Sequence, residues 1–150
     1  MNPQLLLTSL KVQDENLGSL VELLEVKKNA VVQNNYAALE LSISEEQKIL
    51  KNIEREESNR IKIIKDIASL YSLPLQVPSM ENFILHGKKY FTKELKDIEQ
   101  IRKSIAEKIE TIKNANAQLK SVVDFSSSLI RETIKMIAGQ SKRALVNKRV

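Results

Sequence analysis

Apolar residues recur every three or four positions along a stretch that contains neither glycine nor proline, residues 89–138. This spacing places them on one face of a helix that packs against another helix. At 1.5 Å per residue such a helix would be roughly 75 Å long, much longer than the helices of compact domains. The track comprises Phe91, Leu95, Ile98, Ile101, Ile105, Ile109, Ile112, Asn116, Leu119, Val123, Ser126, Ile130, Ile134 and Ile137. The pattern predicts an elongated bundle or coiled coil, and so a protein that acts through surface contact.

The same periodicity predicts two long helices before this one. The first runs from Pro3 to about Asn29, and the second runs from about Tyr36 to Tyr71. The residues between them, Gln33-Asn34-Asn35, favour a tight turn because asparagine tolerates left-handed backbone and caps helices. A short turn makes the two helices antiparallel neighbours.

A short fourth helix is expected between the second and third long helices. Pro74 and Pro78 break the helical pattern. Ser79 is a suitable N-cap for a helix that reaches about His86 and ends at Gly87. Gly139 is expected to end the last long helix in the same way.

These elements define an all-α fold, an elongated antiparallel helical bundle or coiled coil of three long helices plus one short helix. A chain of 150 residues fits one domain. We expect residues 1–140 to form the helical bundle and residues 141–150 to form a basic, disordered tail. The aromatic share of only 4% agrees with thin helical interfaces filled by isoleucine and leucine.

The charge is unevenly distributed. Residues 1–60 hold 7 Lys+Arg and 10 Asp+Glu, a net −3, while residues 61–150 hold 17 and 9, a net +8. No acid follows Glu132. A basic arm for nucleic acid or an anionic membrane is one interpretation of this end, and a solvated, frayed tail is the favoured one because aromatic residues do not alternate with the cations. No nucleic-acid partner is expected.

Residues typical of catalysis or metal binding are scarce. The chain has no cysteine and a single histidine, His86, which is interpreted as an exposed loop residue. The glutamates of the second helix lack the Glu-x-x-His pairing of di-metal bundles. Three scattered glycines do not form a phosphate-binding loop. An enzyme is not expected, and neither is a cofactor.

No apolar run is long enough to span a membrane, and the first residues lack the pattern of a secretory signal. We therefore expect no membrane insertion and a cytoplasmic location.

The apolar set widens in the last part of the third long helix. Its members are Leu119, Val122, Val123, Phe125, Leu129, Ile130, Ile134, Met136 and Ile137. A pair of helices needs only a narrow stripe, so a wide stripe must be covered on two sides. Either the first two helices cover this face completely, or part of it stays open and marks a partner site.

Three segments together resemble the FlgN-type flagellar export chaperones. The first is Leu20-Val21-Glu22-Leu23-Leu24-Glu25, and the second is the polar turn with its restart, residues 34–40. The third is Asn114-Ala115-Asn116-Ala117-Gln118-Leu119, which leads into the wide apolar stretch. A Leu-Pro loop at residues 73–74 precedes the last long helix, as in that family. The order of these elements spans most of the chain.

The resemblance implies a cytoplasmic chaperone that binds the C-terminal helical segments of hook–filament junction proteins. It would prevent their premature assembly and deliver them to the flagellar type III export gate. The client-binding region implied is the C-terminal part of the third long helix, with Asn116 setting the register at some cost in stability. With the flanking positions, the expected site is Asn116, Leu119, Val122, Val123, Phe125, Leu129, Ile130, Ile134, Met136 and Ile137.

Two other functions remain open from the sequence. One is a structural coiled-coil or adaptor protein without a secreted client, in which the wide face is buried in an oligomer. The other is a basic helical module that uses the tail. A homo-oligomer in the absence of a client is compatible with the first hypothesis and with the chaperone.

Overall fold

The computed structural model describes residues 3–74 and 79–149, without the side chains at 126, 130 and 139–149. It contains four helices and, within those ranges, no strand. They are α1 (Pro3–Val32), α2 (Tyr36–Leu70), α3 (Met80–Gly87) and α4 (Thr92–Arg149). The predicted all-α bundle of three long helices and one short helix is confirmed.

The turn between α1 and α2 forms as the two asparagines predicted. Asn34 has φ 53°, the left-handed region that asparagine tolerates. Asn35 is the N-cap of α2, and its side-chain oxygen accepts a hydrogen bond from the Ala38 backbone N–H at 3.1 Å. Ser79 caps α3 in the same manner, accepting from the Asn82 N–H at 3.1 Å.

The glycine predictions were less accurate. Gly87 is the last residue of α3, but no described glycine has positive φ, so it is not a left-handed cap. Its lack of a side chain instead makes room for Phe91, because a Cβ at Gly87 would lie 3.3 Å from the Phe91 ring. The expected end of the last helix at Gly139 was wrong, since α4 continues to Arg149. The expected boundary at residue 140 therefore does not coincide with a helix end, and the division into bundle and tail stays a prediction.

The main core lies at one end of the bundle. There the start of α1, the end of α2, α3 and the start of α4 meet, and α3 closes the end. Phe83 and Phe91 stack at 5.9 Å between ring centroids, and Tyr71 packs edge-on against Phe91 at 4.8 Å. The buried residues of this core are Leu6, Leu7, Leu10, Ile63, Ile64, Ile67, Phe83, Ile84, Phe91, Leu95 and Ile98.

Beyond this core, α1 lies between α2 and α4 and packs against both of them. Residues 54–60 of α2 include no apolar residue. The contact of α1 with and beside this stretch is polar: the Ser9 hydroxyl donates to Glu56 at 2.5 Å, and the Gln13 amide donates to the Ile53 carbonyl at 3.2 Å. These bonds explain how α2 packs there without apolar residues. Both Ser9 and Gln13 are buried, and hydrogen bonding offsets the cost of burying them.

A polar cluster aligns α1 with α4. The Lys108 ammonium lies 2.8 Å from Asp14, and the Ser104 hydroxyl donates to the same carboxylate at 2.9 Å. Further along, Lys28 donates to Gln118 at 3.5 Å. Both hydrogen-bonded pairs are separated by 90 residues, so α1 and α4 run parallel with that offset. Helix α2, which follows α1 in the sequence, runs antiparallel to both.

Candidate partner-binding surface on helix α4

The most prominent feature of the molecule is the part of α4 that extends past the rest of the bundle. With the offset of 90 residues, the end of α1 at Val32 lies level with residue 122. The turn at residues 33–35 returns the chain into α2, so neither helix accompanies α4 further. The segment 123–149, which we call the protruding segment, would extend roughly 40 Å at 1.5 Å per residue.

The protruding segment exposes large apolar side chains. Phe125 is 70% exposed and Met136 is 66% exposed. Among the side chains that the structure describes, the exposed large apolar residues there are Val123, Phe125, Leu129, Ile134, Met136 and Ile137. Complete cover by α1 and α2, one of the two alternatives left open by the sequence, is therefore excluded for these residues. At about 100° per residue, these six side chains spread over roughly half of the helix circumference. Exposed apolar surface of this extent is typical of a site that binds another protein.

The other members of the predicted site lie elsewhere. Leu119 is buried, and Val122 is partly buried at the level where α1 ends. Asn116 is exposed, and Ala115 is the partly buried residue at this turn. The side chain of Ile130 lies outside what the structure describes. Of the predicted residues, Leu119 and Val122 are thus at least partly buried near the end of α1, whereas the described apolar residues beyond them are exposed.

A groove on the body of the molecule was not predicted. It has a volume of about 710 Å³ and lies between α2 and α4, with α1 as its floor. Leu10 and Leu17 line the floor, Ile53 lines one wall, and Ile105 and Ile109 line the other. Ile105 and Ile109 belong to the apolar track and were interpreted as core. Helices α2 and α4 make little contact with each other, so Ile109 remains 40% exposed. The sequence does not reveal this sparse contact.

Chemistry other than binding finds no support in the described residues. Among them no group of histidine, cysteine or acidic side chains is arranged to hold a metal ion. Two carboxylates line the groove: Glu57, which accepts from Arg60, and Glu81, which is exposed. His86 was expected in an exposed loop. It lies at the end of α3 instead and is partly buried.

In the ranges that the structure covers, no helix combines the length and the apolar character that a membrane span requires.

An elongated helical bundle whose last helix extends past the others with uncovered apolar side chains is typical of a class of proteins that act by binding other proteins. The comparison with family models identifies which one. The model of the family described as FlgN protein matches residues 1–147, and the chain belongs to the FlgN family. This is a chaperone family of flagellar assembly, so the chain has the role of a flagellar export chaperone. Neither the curated proteins nor the solved structures gave a match.

Proposed function

We propose that this chain binds the C-terminal helical segments of flagellar hook–filament junction proteins in the cytoplasm, keeps them from assembling early, and delivers them to the type III export gate. Family membership supports the chaperone role. The protruding segment supports the kind of client, because an uncovered apolar helix surface suits another amphipathic helix. The observation that carries the proposal is the exposure of Phe125, Leu129 and Met136 beyond the end of α1.

Binding would also serve the client. A client helix that packs against its neighbours only in the assembled flagellum has an unpartnered apolar face before assembly. Covering such a face removes it from premature association, and the free energy comes from apolar area removed from water on both helices. Phenylalanine and methionine suit this role because they adapt to different surfaces.

The test is Leu129→Asp, with binding to a purified C-terminal segment of a junction protein measured by isothermal titration calorimetry. Leu129 is exposed, so the bundle should fold normally. A carboxylate placed against an apolar client should weaken binding more than roughly tenfold.

The matched control is Ser128→Asp, one residue away. Ser128 is exposed and lies about 100° around the helix from Leu129, on the polar side. It should bind as the wild type does. If the two variants bound the client equally well, the protruding segment would not be the client site.

A further inference from the structure

The groove on the body and the protruding segment lie along one line of α4. Seven residues make nearly two helical turns, so residues seven apart form a line along a helix in a bundle. Arg102 and Ile109 line the groove. The same steps lead to Asn116, which is exposed, and then to Val123 on the protruding segment. Ile137, two steps further, is also exposed.

The residues that flank this line are basic or uncharged. A neighbouring line runs parallel to the first, with each member four residues further along the chain. It comprises Ala106, Lys113, Lys120, Ser127 and Ile134. Over the two lines from residue 102 to residue 137, every charged side chain is a cation: Arg102, Lys113 and Lys120. Lys113 and Lys120 are exposed, while Arg102 is partly buried.

Four charged residues line the groove: Glu57, Arg60, Glu81 and Arg102. Glu81 is exposed to water, whereas Arg102 is partly buried. None of the ion pairs among the described residues includes it. On the facing wall Arg60 is already paired with Glu57. A partly desolvated guanidinium without an anion favours a carboxylate from a bound molecule, because charge-assisted hydrogen bonds are stronger than neutral ones.

We propose that the groove is a second part of the binding site, continuous with the protruding segment, and that the whole track takes an amphipathic helix with acidic flanks from the partner protein. The inference rests on the proposed client binding and names the chemistry of the client. The apolar stripe of the incoming helix packs on Leu10, Leu17 and Ile109. Its carboxylates face Arg102 and the two lysines. From Arg102 to Ile109 the groove is roughly 10 Å long, about two helical turns.

A second copy of this chain fits the track less well. Two copies paired through this track would place the lysines of one α4 near the same lysines of the other. Like charges across an interface disfavour association. Charge complementarity therefore selects an acidic helix from a different protein.

The test uses a photo-reactive amino acid placed at Ile109, at Val123 or at Lys48, with purified full-length chain and a purified C-terminal segment of a junction protein. Lys48 is the control, on α2 with its side chain 69% exposed. We expect covalent products with the client segment from positions 109 and 123 and none from position 48, with mass spectrometry placing the products on an acidic helix.

Each other result decides the proposal. Products from position 123 but not from 109 would overturn the groove and leave the proposed function standing. A covalent dimer of this chain from position 109 would show that a second copy occupies the groove, which also overturns the proposal. Absence of products from both positions would overturn the proposed track, and the Leu129→Asp experiment would then decide the proposed function separately.

A charge reversal tests the acidic character separately. Arg102→Glu should weaken client binding roughly fivefold, between the effects typical of exposed and of buried ion pairs. Lys48→Glu is the control and should have no effect on binding. Unchanged binding by Arg102→Glu would refute the pairing of Arg102 with a client carboxylate.

Discussion

Gly18 and Gly87 both lie within helices, yet a methyl group would meet different surroundings at the two positions. At Gly18 the nearest atom to an added Cβ is Lys108 Cε at 3.6 Å, an ordinary contact with the end of a flexible side chain. At Gly87 the nearest atom is Phe91 Cδ2 at 3.3 Å, on a buried ring held by Phe83 and Tyr71. The first neighbour can move at little cost, and the second cannot.

We therefore predict that Gly18→Ala stabilises the protein by about 0.5–1 kcal/mol, the usual gain in helix propensity. Gly87→Ala is the matched comparison, and crowding of Phe91 should cancel that gain. The free energy of unfolding from urea denaturation, followed by circular dichroism, measures both. An equal gain in the two variants would show that the aromatic core accommodates the methyl group.

Single residues also show what the sequence can and cannot predict. The Asn34-Asn35 turn and the Ser79 cap were correct because their causes are local, a backbone preference and a hydrogen bond three residues along. The glycine at 87 was assigned the wrong reason because its role depends on Phe91 and Phe83, which only the fold brings near. Asn116 was expected on the inner face of α4 because it follows the three- and four-residue steps of the apolar track. An α-helix has 3.6 residues per turn, so these steps drift around the helix, and Ala115 is the partly buried residue at this level instead.

At the scale of elements, α4 is one helix with two environments. Up to about residue 122 it packs against α1, and from 123 onward it is a single helix in water. Isolated helices are only marginally stable, and most helical stability in proteins comes from packing. The existence of this helix was predictable from periodicity, but its uncovered end was not, because the end of α1 relative to α4 depends on the polar cluster of Asp14, Ser104 and Lys108.

We predict that backbone amides of residues 123–138 exchange with solvent at least tenfold faster than those of residues 95–112, since local opening there disrupts no tertiary contacts. Hydrogen exchange read by mass spectrometry measures both ranges in the same sample. A bound client segment should slow exchange in the outer range. Equal protection of the two ranges without a client would indicate an additional contact that stabilises the protruding segment.

The whole molecule is elongated, and the length of α4 sets its long dimension. The 58 residues of α4 span roughly 87 Å at 1.5 Å per residue. The all-α class and the elongated shape followed from the sequence. The groove did not, because it arises from the arrangement of three helices around one another and not from any one of them.

Small-angle X-ray scattering should give a radius of gyration well above the roughly 15 Å of a compact 150-residue domain. The maximum dimension should approach the length of α4. A chain with α4 intact but a compact profile would mean that the protruding segment associates with its own bundle. The measurement should be made over a concentration series, so that self-association is separated from shape.

The position of the main core has a consequence for how such a protein can change over generations. Its aromatic and aliphatic centre ends near Ile98, roughly 37 Å along α4 from Val123. Substitutions on the protruding segment therefore leave the packing that stabilises the fold untouched. The contact surface is free to diversify as its clients do, while selection on foldability acts on the opposite end of the rod.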